Sequence, residues 1–390
     1  MARKAYRYRH RADNHSKSWG KEEEKRVVKL KRISEQTIVI TGASSGIGLV
    51  TARMAAERGA RLVLAARSED ALRQLIFEIK DAGGNAVMVA ADVSREEDVR
   101  RISDVAIERF GGFDTWVNNA GVSIYGKLAD VPLKDLRQLF ETNFWGVVYG
   151  SLIAVEQLKR RGGALINIGS TLSDRAIPIQ GMYSASKHAV KGFTDALRME
   201  LEEEGAPISV TLIKPGAIDT PYIHHAKNYL EVEPLNPLPV YAPETVAEAI
   251  LHCAQTPERD VFVGGGGKAI SLIGKYAPRV LDKLMAATMD KMQRSEQPAR
   301  NRADNGLDRP SGELKERGGY PGHVARSSLY TKASLHPIIT GALLVGAGLT
   351  FASLLLNPLS RPNAYERNAK AFRRNPRRRV NAMKGSFGEK

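Results

Sequence analysis

Cysteine is nearly absent from this chain: Cys253 is the only one among 390 residues. That excludes an internal disulfide and points to a reducing compartment. In "AILHCAQTP" it sits in an apolar, helix-like run, which is where a buried and inert thiol belongs. Metal-ligand spacing is missing as well, and His224 and His225 in "YIHHA" read as loop or cleft lining instead of a zinc site. The GxGxxG spacing of the common dinucleotide fingerprint does not occur at the first strand–helix junction. Long uncharged apolar runs are also lacking, with one exception at residues 338–356.

Charge is unevenly placed. The net value is +15, of which the first 36 residues carry +7 and the last 34 carry +8. Residues 37–356 are therefore neutral overall. Segments 1–36 and 359–390 read as solvated, disordered tails. Their functional reading is attraction to an anionic surface, phospholipid or nucleic acid. A nucleic-acid module interleaves aromatics with its basic residues. "RRNPRRR" has none and "YRYRH" does, so no specific nucleic-acid recognition is expected while the N-terminal tail keeps that alternative open.

From Thr37 the chain alternates short apolar runs with longer amphipathic ones. "TIVIT", "RLVLAA", "NAVMVAADV", "DTWVNNAG", "ALINIGS", "ISVTLIKPG" and "DVFVGG" read as strands bounded by turn residues. The stretches between them have helical periodicity, and several finish in glycine. This alternation predicts an α/β fold: a doubly wound parallel sheet with helices on both faces, spanning residues 37–292. Residues 293–336 are rich in Gly, Pro and charge and read as a linker or extended arm.

Two stretches carry chemistry. "TGASSGIG" sets Gly42, Gly46 and Gly48 between a strand and a helix, with Thr41, Ser44, Ser45 and Ile47 completing the loop. Glycines there let the backbone approach a pyrophosphate lying at the helix N-terminus. "YSASK" places Tyr183 and Lys187 four residues apart, on one face of a helix. A phenol is a poor base, with a pKa of about 10. A nearby ammonium favours the phenolate, which suits proton transfer to or from a substrate hydroxyl.

Taken in order, these segments resemble the short-chain dehydrogenases/reductases over about residues 37–265. "TGxxxGIG" is similar to that family's cofactor loop, and "NNAG", with Asn119, Ala120 and Gly121, follows the fourth strand. "YSASK" matches its catalytic helix, and Ser170 in "INIGS" matches its catalytic serine. Asn143 in "ETNFWG" matches the fourth catalytic residue, and "KPGAIDT", with Pro215, Gly216, Ile218 and Thr220, the segment around the nicotinamide. The resemblance implies that Tyr183 is the acid in reduction and the base in oxidation. Lys187 would lower its pKa and hold the nicotinamide ribose, Ser170 would steady the substrate oxygen, and Asn143 would hold a water leading to Lys187. It also implies adenine contacts from Asp92 and Val93, and a homo-oligomer.

The second strand ends "LVLAARSED". A carboxylate there would bind the ribose 2′-OH of NAD. Ala66 occupies that place and Arg67, suited to a 2′-phosphate, follows. NADP(H) is therefore the expected cofactor. Glu69 and Asp70 start the next helix, where its dipole favours negative charge. Tyr222 and His224, in the loop expected to close over the substrate, could line the cleft or pack at its rim. The expected substrate is a small carbonyl or secondary alcohol of apolar character.

Residues 338–356, "IITGALLVGAGLTFASLLL", are 19 residues without a charge. About 20 apolar residues span a bilayer core, so a transmembrane or membrane-associated helix is expected over 337–358, with a packed helix as the alternative. The chain then reads as membrane-associated, with its catalytic domain facing the cytosol. A contrasting reading is a non-catalytic dinucleotide-binding protein docked by its basic tails.

Overall fold

A computed structural model of the chain describes residues 28–312, 314–336, 340–342, 345 and 347. The described residues up to Thr331 form one compact unit, and those from Lys332 belong to a second. In the second unit the described backbone is helical, with the Thr340 N–H donating to His336 O at 3.0 Å.

The first unit is built on seven parallel strands: β1 (Thr37–Thr41), β2 (Arg61–Ala66), β3 (Asn85–Ala90), β4 (Thr115–Asn118), β5 (Gly163–Ile168), β6 (Ile208–Pro215) and β7 (Asp260–Val263). Their spatial order is β3-β2-β1-β4-β5-β6-β7. Every residue of β1, β4, β5 and β6 is buried, which is why these strands read as continuous apolar runs. On one face Val39, Val63, Trp116 and Leu165 meet Ile102 of α3 (Glu96–Phe110), Leu158 of α5 (Gly146–Arg161) and Leu201 of α6 (Gly181–Glu203). The alternate residues Ile38, Ile40, Leu62 and Leu64 are equally buried. Helices α1 (Gly46–Glu57), α2 (Glu69–Asp81) and α4 (Leu133–Phe140) complete the first half, and α7 (Pro243–Cys253), packed on α1, α8 (Gly265–Tyr276) and α9 (Pro278–Met292) follow. The strand order reverses between β1 and β4, so a crevice opens at their carboxyl ends. Cys253 is buried, and burial pushes its thiol pKa up.

A buried polar network fixes α6 to the sheet. The Trp116 indole donates to Asn118 Oδ1 (2.7 Å), and Asn118 Nδ2 donates to Asn167 Oδ1 (2.8 Å) and Ser151 Oγ (3.1 Å). Asn167 Nδ2 then donates to Thr194 Oγ1 on α6 at 3.0 Å. Buried groups left without partners are costly, so Asn167→Ala is expected to lower stability by roughly 2–4 kcal/mol. A urea midpoint equal to that of the unaltered protein would show the network to be dispensable.

Two expectations need revision. Residues 28–36 are not a free tail: Lys31 pairs with Asp114 at 2.6 Å, Gln36 Nε2 donates to Ala254 O at 2.6 Å, and Ile33 is buried. Residues 293–331 are not a free linker and belong to the compact unit. Arg294–Pro298 pairs antiparallel with Val232–Pro234, and Val324–Ala325 pairs parallel with Val240–Tyr241. The span expected at 338–356, and the tails 1–27 and 359–390, lie mostly or wholly outside the described residues. Among the described residues no helix is long and apolar enough to cross a membrane.

Candidate active site

The crevice at the carboxyl ends of β1 and β4 is a cavity of about 290 Å³. Its floor is the glycine loop. Gly42, at φ +68°, leaves no room for a side chain, since an added Cβ would stand 2.7 Å from Ala120 Cα. Thr41 Oγ1 accepts from the Asn119 and Ala120 N–H groups (3.1 and 3.2 Å), and Asn119 Nδ2 donates back to Thr41 O (3.0 Å) and Gly42 O (3.2 Å). These bonds clamp "TGASSGIG" to "NNAG".

Ser44, Ser45, Gly46 and Ile47 line the crevice at the start of α1, and Asp92 and Val93 line it after β3. Asn119, Ala120 and Gly121 form the next stretch of wall, and Pro215, Gly216, Ile218 and Thr220 the far one. Gly48 lies behind this wall, where its missing side chain makes room for the Gly42 carbonyl. Such a cradle fits a dinucleotide laid across the switch point with its pyrophosphate at the N-terminus of α1.

Tyr183 and Lys187 fall in the first two turns of α6 and line the same cavity with Ser170. Lys187 Nζ donates to Ile168 O at 2.8 Å and stands 5.7 Å from the centre of the Tyr183 ring. Burial pushes the Tyr183 pKa up, against hydrogen bonds from Tyr222 and Ser170 that draw it down. The lowering expected from Lys187 does not emerge: its ammonium is aimed at a backbone carbonyl, and burial dominates. Burial also pushes Lys187 down to about 8.

Asn143 sits in a five-residue π-helical turn, Glu141–Trp145, between α4 and α5. Wide turns of this kind are frequent at functional sites. This one turns the Asn143 amide onto Val122, donating to its O at 2.9 Å and accepting from its N–H at 2.8 Å. Asn143 is fully buried and does not line the cavity; it braces the strand end that does.

Of the two loop residues proposed as lining, Tyr222 lines the cavity and His224 does not. His224 Nε2 hydrogen-bonds Gly318 O at 2.7 Å, and its Nδ1 accepts from Arg300 at 2.6 Å. The neighbouring His225 faces the cavity instead. Ile179, just ahead of α6, takes φ +57°, an unusual backbone for a β-branched residue, and is buried between Tyr125 and Ile223.

The arm supplies residues that sequence reasoning missed. Gly306, Pro310 and Ser311 close the cavity on the Arg67 side. Arg67 donates to the carbonyls of Gly306, Leu307 (3.3 Å) and Arg309 (3.3 Å). Leu307 is buried in an apolar cluster with Val122 and Leu139, and Asp308 pairs with Lys227 at 2.8 Å. Further along, Lys315 O accepts from the Gly46 N–H (2.9 Å), Glu316 pairs with Arg53 (2.6 Å), and Asp219 accepts from the Gly318 and Tyr320 N–H groups. The sequence signal was the few apolar residues, Leu307 among them, set in a polar run.

Comparison with known proteins agrees with this geometry. A family model described as short chain dehydrogenase matches residues 36–229. An uncharacterised oxidoreductase of Bacillus subtilis, YxnA, is 50% identical over 322 residues, covering 82% of this chain and 90% of its own length. The 11-beta-hydroxysteroid dehydrogenase A of Sesamum indicum is 40% identical over 190 residues, 48% of this chain and 54% of that protein. Among solved structures, an alcohol dehydrogenase from Thermococcus sibiricus complexed with 5-hydroxy-NADP superposes with a TM-score of 0.52 at 28% identity, covering 58% of this chain and 95% of that one. With the glycine loop, the "NNAG" wall and the Ser170–Tyr183–Lys187 corner in one crevice, and relatives matched over most of their length, the chain belongs to the short-chain dehydrogenase family.

Proposed function

We propose that this oxidoreductase uses NADP(H) to interconvert a carbonyl and a secondary alcohol on an apolar substrate. The observation that carries it is the convergence of Ser170, Tyr183 and Lys187 on one cavity whose floor is the glycine loop. In reduction Tyr183 gives its hydroxyl proton to the substrate oxygen, and Ser170 donates a hydrogen bond where negative charge develops. In oxidation Tyr183 takes the proton back. Lys187, at about 8, keeps its charge near neutral pH and stands 5.7 Å from the Tyr183 ring, where it can hold the cofactor's ribose. When bound, the nicotinamide supplies or accepts the hydride. Tyr125, Leu172, Ile177 and Pro237 give the substrate end an apolar lining, in keeping with a steroid-dehydrogenase relative. The direct test is NADPH oxidation by the purified chain with a panel of ketones and aldehydes; no turnover across apolar and polar carbonyls alike would refute the reading.

The preference for NADP(H) rests on Ala66, which offers no carboxylate, and on Arg67 lining the cavity. The Thermococcus relative, solved with an NADP analogue, supports it. Three arm carbonyls already hold the Arg67 guanidinium at the cavity edge, so a 2′-phosphate would meet a preset group. A charged hydrogen bond is worth roughly 1.5–3 kcal/mol, or about ten- to a hundredfold in affinity. Arg67→Ala is expected to weaken NADPH binding by that order and to leave NADH nearly unchanged. Equal losses for the two cofactors would show that Arg67 reads only the arm.

A further inference from the structure

Two of the cavity's buried hydroxyls stand beside Tyr183 without a role in the chemistry above. Ser123 Oγ and Tyr222 Oη are both buried and both line the cavity; Tyr222 leans on Ser123 and Tyr183, but neither hydroxyl has the full set of partners that a buried hydroxyl can take. Ser123 follows directly on the "NNAG" wall and is 1% exposed. Tyr222 opens the short helix Tyr222–His225, and its ring meets that of Tyr183 edge-on, with centroids 5.6 Å apart at 64°. The Tyr222 hydroxyl thus lies between Ser123 and Tyr183, close enough to both to influence ionisation.

A buried hydroxyl with unfilled hydrogen-bonding capacity is costly, and a ligand oxygen removes that cost. The reacting oxygen itself cannot take up both groups. A carbonyl oxygen has two lone pairs, and Ser170 and Tyr183 already claim them. The next donor along the row must find a different oxygen, and its place beside Tyr183 puts that oxygen next to the reacting one.

We propose that Ser123 and Tyr222 form a second oxygen-binding subsite, so that the substrate carries an oxygen on the carbon adjacent to the one that reacts: an α-hydroxy ketone or α-diketone in reduction, a vicinal diol or α-hydroxy ketone in oxidation. This rests on the oxidoreductase reading and narrows its substrate class. Tyr222 and Ser123 select the substrate, while Ser170 and Tyr183 act on the oxygen that changes.

The test compares benzoin with deoxybenzoin, which share a skeleton and differ in the neighbouring hydroxyl, using the full chain with NADPH. Tyr222→Phe and Ser123→Ala are each expected to lower the benzoin-to-deoxybenzoin ratio of kcat/KM about tenfold. Ser123→Thr, which keeps the hydroxyl, is expected to retain most of that ratio. A ratio that stays constant while both ketones slow together would overturn the subsite and leave the two residues as packing. Calorimetric binding of the two compounds to the NADPH complex reads the same preference without turnover. Should neither ketone be reduced while benzoin still binds about tenfold more tightly to the wild type alone, the subsite stands and the oxidoreductase reading falls. Equal binding of the two compounds to the wild type would refute the subsite.

Discussion

Tyr183→Phe is expected to lower turnover by about a hundredfold or more, with cofactor affinity retained. The substitution keeps the ring, and so the edge-on contact with Tyr222, but removes the proton that the reaction moves. General acid–base catalysis typically contributes 10²–10⁴-fold, which sets the scale. Ser170 and Lys187 would remain in place, since the bonds of Ser170 Oγ with the Leu172 N–H and of Lys187 Nζ with Ile168 O do not involve the phenol. The measurement is steady-state NADPH oxidation on any carbonyl the protein reduces, alongside a cofactor titration. Near-wild-type turnover would remove Tyr183 from the chemistry.

Gly48→Ala should damage both cofactor binding and stability. A Cβ at Gly48 would run into the Gly42 carbonyl oxygen and stand 2.6 Å from Asn119 Nδ2. Neither can yield cheaply: the first is backbone, and the second ties the glycine loop to the "NNAG" wall. Overpacking of this kind costs about 1–3 kcal/mol. The loop would shift, and NADPH affinity is expected to fall at least tenfold, about 1.4 kcal/mol of lost binding. Gly192→Ala is the matched control. It lies on an exposed part of α6, an added Cβ there meets nothing within 4 Å, and helix propensity predicts a gain of roughly 0.5–1 kcal/mol. If the two variants had the same urea midpoint and the same NADPH affinity, steric crowding at Gly48 would be the wrong explanation.

The seven sheet strands were legible because the four central ones are buried throughout, and the flanking ones in good part, which keeps them apolar and β-branched. The cofactor loop and the Tyr183–Lys187 pair were legible because their chemistry depends on local spacing: a turn of glycines, one helical step. What the sequence hid depends on distant partners. Asn143 carries no local mark of its π-helical turn, since the bonds that define its role go to Val122. Tyr222 was legible as a cleft residue, but its neighbour Ser123, far from it along the chain, was not. Ile179 adopts its unusual φ under contacts from residues remote in the chain. The arm was misread for a related reason. A polar, glycine-rich run reads as linker when its charges face water, but here Asp308, Glu316 and Arg317 pair with Lys227, Arg53 and Glu244 of the domain.

The arm has a consequence for the order in which the molecule comes together. A chain made from its N-terminus completes the sheet at Val263, dozens of residues before Gly306 exists. The bond from Arg67 to the Gly306 carbonyl joins positions 239 apart in sequence. Loop-closure entropy makes such contacts slow to form when nothing has been ordered beforehand. Once the sheet is folded, the effective loop is far shorter, because β2 and β7 already hold Arg67 and Val263 at fixed places in it. The arm should therefore dock late, onto a finished cleft. During synthesis a dinucleotide can then settle on the open glycine loop before the arm from Gly306 to Lys315 is laid over it.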